Sequence, residues 1–160
     1  MAAYWHNKRG DRVVSLRDQM DILDVIARYS YTYDGRDADG FAHLFTEDGI
    51  FEMVHAGGRH PELRLESRDA IYAWAVQRHE QVIKDVHDRH FQSGTLFDVL
   101  THEHAQTRTM VLITHQSAED LAPRPVLSGV YHDRWQKTHI GWQIAQRTLH
   151  HDHRQPYLSK

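Results

Sequence analysis

A carboxylate and a phenol stand at the end of the first long amphipathic segment, where they could act on a bound molecule. The stripe of this segment leads at helical spacing to Asp34, through Met20, Leu23, Ile26, Ala27 and Ser30. Tyr33 lies beside Asp34, so the phenol and the acid are expected on the same side of the helix where it ends. A plain helix exit explains the same residues equally well, because Asp34-Gly35 is a common turn signal.

His90 is the candidate base that would complement this acid. On a strand predicted from 87 to 101, alternation puts His90 on one face and Phe91 and Phe97 on the other, without deciding which face is concave. If His90 faces inward, a carboxylate could hold one ring nitrogen and leave the other to take a proton from a substrate. The alternative is that His90 is one of many surface histidines, since the chain has 15.

Four apolar residues are candidates for lining a substrate pocket: Phe51, Met53, Trp74 and Tyr131. Aromatic and methionine side chains at these spacings are more often plain core. On the helix that carries Trp74, Arg78 is the single charged residue of an otherwise apolar stripe.

Two histidine clusters could bind a divalent metal, namely His102 with His104, and His150, His151 and His153 with Asp152 between them. Both lie at predicted strand ends, and no carboxylate spacing completes a known site. The sequence therefore predicts no metal site and no cofactor.

The elements that must position these residues come as helices first and strands afterwards. Helices are predicted over 16–34, over 37–45 and from Ser67 to about Lys84, and strands over 50–54, 87–101, 104–116, 125–138 and 141–151. Residues 46–49 have turn chemistry. This order favours an α+β fold in which a curved antiparallel sheet wraps around the N-terminal helices, a cone-shaped α+β barrel with a pocket at its wide end.

Composition narrows the class of protein. The 160 residues fit one domain, predicted over 15–153, with a polar lead-in over 1–14 and a tail over 154–160. The 19 basic and 22 acidic residues are well mixed, so we expect no nucleic-acid partner. No apolar run is long enough to span a membrane, and no cysteine is present. We expect a soluble, cytoplasmic protein without a membrane partner.

Several phrases resemble the SnoaL-like branch of the nuclear-transport-factor-two-like superfamily. They are the Tyr-Ser-Tyr-Thr-Tyr-Asp that ends at Asp34, Leu-Phe-Thr-Glu-Asp-Gly over 44–49, His90-Phe91, Ser-Gly-Val-Tyr-His-Asp-Arg-Trp over 128–135, and Gly-Trp-Gln-Ile over 141–144. The resemblance covers about residues 15–150. Within the superfamily, the pattern is most similar to the scytalone dehydratase and hexachlorocyclohexane dehydrochlorinase families.

In those families an aspartate at the end of helix one and a histidine on a strand form a catalytic dyad. The resemblance assigns these roles to Asp34 and His90, with Tyr33 beside them. A second histidine of scytalone dehydratases is not matched at Thr107, Thr109 or Met110, the positions where we expect it. The superfamily's epoxide hydrolases use an Asp-Arg-Asp arrangement, and Arg108 and Asp133 leave that chemistry open.

Together these features predict a cofactor-independent lyase or isomerase of the dehydratase or polyketide type, which uses His90 as general acid and base on a small hydrophobic cyclic substrate. Two alternatives share the fold: the non-catalytic small (beta) subunit of an aromatic-ring-hydroxylating dioxygenase, and a ligand-binding scaffold. The resemblance also implies a homo-oligomer, a dimer or trimer, formed through the sheet, with which Phe97, Val111 and Ile113 are compatible.

Overall fold

The computed structural model describes residues 16–157, so the predicted lead-in and the last three residues lie outside it. The helices are α1 (Leu16–Asp34), α2 (Ala38–His43) and α3 (Arg68–Gln77), and α3 continues into a π-helical turn (Arg78–Val82). The strands are β1 (Phe45–His55), β2 (Leu63–Glu66), β3 (Val86–Leu100), β4 (His104–Ser117), β5 (Arg124–Thr138) and β6 (Gly141–His151). The α+β fold with helices ahead of a curved sheet is confirmed.

The buried face of α1 differs from the predicted stripe. The side chains that enter the core are Ile22, Ile26, Tyr29 and Tyr33. Met20 and Leu23 are instead 62% and 36% exposed, so this part of the prediction was wrong. Both sets of residues have helical spacing. The predicted set is rotated around the helix axis by about one residue, because it leaves out Tyr29 and Tyr33, which are buried.

The six strands form one sheet in the order β2-β1-β6-β5-β4-β3. Neighbouring strands are antiparallel except β1 and β6, which run parallel. The outer strands β2 and β3 do not pair with each other, so the cone is not a closed barrel. Strand β1 begins at Phe45, and the predicted turn at 46–49 is an irregularity inside it, between its pairings at Phe45 and Ile50.

Helix α1 packs against the free edge of β3 and, at His90, supplies the two backbone hydrogen bonds that a neighbouring strand would make. The Ser30 hydroxyl donates to the His90 carbonyl over 2.9 Å, and Asp34 accepts from the His90 backbone N–H over 2.9 Å. Gln92 reaches back to the Ile26 carbonyl. An uncovered edge strand invites pairing with another chain, and here α1 satisfies the backbone of β3 at His90, which also fixes the end of α1 against that residue.

A charged pair lies at the centre of the core, between α1 and the sheet. Arg147 on β6 donates to Asp133 on β5 through two parallel bonds of 2.7 and 2.8 Å, and both side chains are 0% exposed. The guanidinium is sandwiched between the rings of Tyr29 and Tyr131, 4.1 and 4.2 Å from their centroids. Such a pair tolerates burial because its bidentate geometry and the flanking rings replace much of its hydration.

None of the helices within residues 16–157 is both long enough and apolar enough to cross a membrane.

Candidate active site

The acid at the end of α1 and the histidine on β3 are in direct contact. His90 Nδ1 lies 2.6 Å from Asp34 Oδ1, and the other carboxylate oxygen holds the His90 backbone N–H. Both side chains are nearly buried, at 7% and 9% exposed. No residue within 16–157 forms a hydrogen bond to Nε2 of His90. A carboxylate on Nδ1 orients the ring and places the lone pair of the neutral imidazole on Nε2, where it can accept a proton.

Tyr33 extends over this pair from the preceding position of α1. Its ring centre is 5.2 Å from that of His90, edge to face, and 5.8 Å from that of Trp74, in a stacked arrangement. Burial raises the pKa of the Tyr33 phenol well above its ordinary value, and the nearby Arg78 guanidinium offsets part of that rise. The phenol therefore remains protonated at neutral pH and can donate a hydrogen bond.

A second acid and imidazole pair faces the same cavity. His115 Nε2 on β4 lies 2.7 Å from Asp88 Oδ1 on β3, and the acid side chain is 5% exposed. The contact is close, but it lacks hydrogen-bond alignment, so Oδ1 has no hydrogen-bond partner among residues 16–157. This pair was not predicted from the sequence, where the positions considered for a second histidine were Thr107, Thr109 and Met110.

The register between β3 and β4 decides which side chain His115 meets. Leu100 pairs with Ala105 beside the turn, and an unbroken ladder from there would put His90 opposite His115. Two irregularities, between Ser93 and Leu96 and between Phe97 and Val99, shift the pairing, so that Ile113 lies opposite His90 and His115 lies opposite Asp88. Gly94 permits the first because its φ of +64° strongly favours glycine.

The dyad and the second pair open onto one cavity that is lined mainly by aromatic and apolar side chains. All four predicted lining residues contribute to its wall: Phe51, Met53, Trp74 and Tyr131. Tyr157, from the predicted tail, also lines it. The cavity has about 470 Å³ of empty space including its mouth. Its interior has little free room in the present side-chain arrangement, so a cyclic ligand requires outward movement of the wall.

The histidine clusters form no composite metal site within residues 16–157, where no three suitable side chains converge. His102 lies in the turn between β3 and β4, apart from the strand that carries His104. His151 contacts Glu62 at 2.5 Å, and the His153 ring contacts the Val126 carbonyl. His151 and His153 thus have partners of their own, in the loop before β2 and on β5.

The residues considered for epoxide-hydrolase chemistry lie apart. Arg108 is exposed and pairs with Asp98 at 2.7 Å, whereas Asp133 is buried with Arg147 on the inner face of the sheet. The structure therefore does not bring Arg108 and Asp133 together. Val111 and Ile113, considered for an interface, also face inward, and their exposed neighbours on β4 are Met110 and Leu112.

The sequence profile of the SnoaL-like domain matches residues 14–148. Among solved structures, a protein of unknown function from Mycobacterium tuberculosis is 28% identical, with a TM-score of 0.72 over 86% of this chain and 78% of the other. A candidate scytalone dehydratase from Novosphingobium aromaticivorans is 23% identical, with a TM-score of 0.69 over 85% of each chain.

The beta subunit of a candidate aromatic-ring-hydroxylating dioxygenase from the same organism is 15% identical, with a TM-score of 0.74 over 86% of this chain and 90% of the other. Likeness at these last two levels of identity concerns the fold alone. Comparison with curated proteins returned no match.

Proposed function

This chain belongs to the family of SnoaL-like domains, and we propose that it is a cofactor-independent lyase or isomerase of the dehydratase type. The observation that carries the proposal is the 2.6 Å contact between Asp34 and His90, which leaves Nε2 of His90 without a partner among residues 16–157. A small cyclic ketone with a hydroxyl group in the β position is the substrate class that this arrangement suits.

In the proposed reaction, Nε2 of His90 removes a proton from the carbon next to the carbonyl. The electron pair of that C–H bond forms the carbon–carbon double bond, and the bond from the β carbon to its hydroxyl breaks. The imidazolium returns its proton to the departing hydroxyl, so that water leaves and His90 is neutral again. Asp34 stabilises the imidazolium while it exists.

Tyr33 would stabilise the charge that develops on the carbonyl oxygen. Its phenol stays protonated, and its ring lies 5.2 Å from that of His90, so one bound substrate could meet both groups. The aromatic wall around them excludes water and suits a flat ring.

The test uses 3-hydroxycyclohexanone as the probe. Proton exchange at the α carbon, followed by NMR in D₂O, reports abstraction alone, and absorbance of the enone product reports elimination. We expect His90→Ala and Asp34→Asn each to lower both rates by roughly 10²–10⁴-fold, while circular dichroism and melting stay nearly unchanged.

His104→Ala is the matched control, because it removes a histidine that lies exposed at the start of β4. It should retain the full rates. Wild-type activity in both dyad variants would exclude the dyad, and binding of the probe without exchange or elimination would favour a ligand-binding scaffold.

One alternative has an observation of its own. The outer face of β3 and β4 exposes large apolar side chains, including Phe91, Leu96, Met110 and Leu112. A non-catalytic subunit of an oxygenase would bury such a face against its neighbours, and a homo-oligomer, dimer or trimer, would do the same. Light scattering on the purified chain tests the homo-oligomer, and co-purification with a large iron–sulfur subunit tests the oxygenase assignment.

A further inference from the structure

Arg78 is a cation in the cavity wall that the proposed reaction does not use. It is the charged exception on the stripe of α3 and begins the π-helical turn, where the Ile83 N–H bonds to the Arg78 carbonyl over 3.0 Å. A hydrogen bond between residues five apart is rare in helices, and where it occurs it is frequently at a functional site. The side chain lines the same cavity as His90 and Tyr33.

The Arg78 guanidinium has no counter-ion within ion-pairing distance among residues 16–157. Its Nε is buried and has no hydrogen-bond partner there, and its central carbon lies 6.0 Å from the centre of the Trp74 ring. The acid that shares this cavity wall is Asp88, which is already in contact with His115 at 2.7 Å. Arg78 is half-buried, and a partly desolvated cation without a counter-ion is stabilised by an anion that enters the cavity.

Arg36, close by in the fold, shows what a structural arginine looks like here. It donates to the carbonyls of Ile83 and Lys84 over 2.9 and 2.6 Å, at the end of the π-helical turn. Its guanidinium therefore closes the end of an element and is satisfied by backbone oxygens. Among residues 16–157, Arg78 makes no such bonds to backbone oxygens, and the groups that share its part of the cavity wall are aromatic rings, including Tyr33 and Trp74, and the acid Asp88.

We propose that Arg78 binds a carboxylate on the ligand, so that the substrate is a small cyclic hydroxy-ketone that also carries a carboxylate group. A planar guanidinium matches a carboxylate through two parallel hydrogen bonds. A ring held by this fork would lie along Trp74 and Tyr33 toward His90. This inference rests on the proposed function only in taking the same cavity as the substrate site, since binding needs no turnover.

The test compares benzoate with benzamide, two flat ligands of nearly equal size that differ in charge, by isothermal titration calorimetry. We expect the wild type to bind benzoate at least about tenfold more tightly than benzamide, and Arg78→Met to bind both equally. Arg124→Met is the matched control, because Arg124 forms an exposed pair with Asp120. It should keep the preference.

Arg78→Lys keeps the charge without the planar fork, so we expect it to retain only part of the preference. This variant also decides the matter if Arg78→Met does not fold. The inference is overturned if the wild type binds neither ligand, if it binds both equally, or if Arg78→Met or Arg78→Lys keeps the full preference. If the wild type forms the enone but binds benzoate and benzamide equally, the anion site is excluded and the lyase assignment stands. If it prefers benzoate but forms no enone, the lyase assignment fails and the anion site stands.

Discussion

Two buried aspartates, Asp34 beside His90 and Asp133 beside Arg147, show nearly the same contact distances to their basic partners, 2.6 and 2.7 Å. Their surroundings differ. The Asp133–Arg147 pair is sealed between two tyrosine rings, whereas the Asp34–His90 pair borders the cavity and keeps one ring nitrogen unengaged within the described residues. A short contact alone therefore does not identify a functional site. What identifies one is a ring nitrogen at the cavity that is free to bind a ligand, whereas the sealed pair contributes to packing.

The sealed pair should give the largest effect when it is broken. Arg147→Met leaves the Asp133 carboxylate buried without its cation, and we expect the free energy of unfolding to fall by about 3–5 kcal/mol. Urea denaturation followed by circular dichroism measures it. Adding Asp133→Leu to this variant should recover most of the loss, because no uncompensated charge remains. A cost below about 1 kcal/mol for the single variant would remove the distinction between the two pairs.

The Asp88–His115 pair lies between these extremes, since it faces the cavity but lacks hydrogen-bond alignment. We expect His115→Asn to lower the rate of enone formation from 3-hydroxycyclohexanone by roughly tenfold, equal to about 1.4 kcal/mol of barrier. The separate effects on kcat and KM show whether His115 acts on the reaction or on binding. A loss as large as that of His90→Ala would make the two cavity pairs equivalent.

Stability should respond little to a change in the open pair. In Asp34→Asn the side-chain amide oxygen can still accept the His90 backbone N–H, so we expect a loss of about 1 kcal/mol or less in the free energy of unfolding. The same urea experiment measures it. A loss of more than about 3 kcal/mol would mean that this pair, too, chiefly holds the fold together.

The smallest effect on stability is expected from lowering the pH, through a histidine that contacts Tyr33 at the candidate site. His79 packs edge to face against Tyr33 at 4.8 Å, and burial together with the Arg36 charge lowers its pKa. The unfolded chain therefore binds a proton at this residue near pH 6.5 while the folded chain does not, so its contribution lowers stability as the pH falls through that value. His79→Gln should flatten the decline of the unfolding midpoint between pH 7 and 5.5, whereas the exposed His104→Gln should not.

The local features of the chain were predictable, and the long-range ones were not. The segment that ends at Asp34 and the strand around His90 follow from residue spacing, which is a property of neighbouring positions. The position of His115 opposite Asp88 depends on two irregularities in the pairing of β3 with β4, and in the sequence only Gly94 indicates one of them. A shift of register changes the partner of every later residue, so alternation within one strand cannot place it.

The parallel pairing was also beyond reach of the sequence, because it joins segments that are far apart. Phe51 on β1 lies beside Arg147 on β6, with most of the chain between them. Alternation predicts that each segment is a strand but carries no information on which strand it joins. The irregular pairing of β3 with β4 and the parallel pairing of β1 with β6, together with the buried face of α1, therefore separate the prediction from the structure.

The position of β1 between β2 and β6 also sets an order of events during synthesis. The first strand to leave the ribosome gains its inner partner only when the last one emerges, and until then one of its edges stays unsatisfied. Contacts between such distant segments are slow to form, so the nascent chain is expected to pass through a long interval in which it could pair with the wrong molecule. Truncation inside β6 should therefore leave one edge of β1 unpaired, so that β1 pairs with other copies of the chain and the product is insoluble.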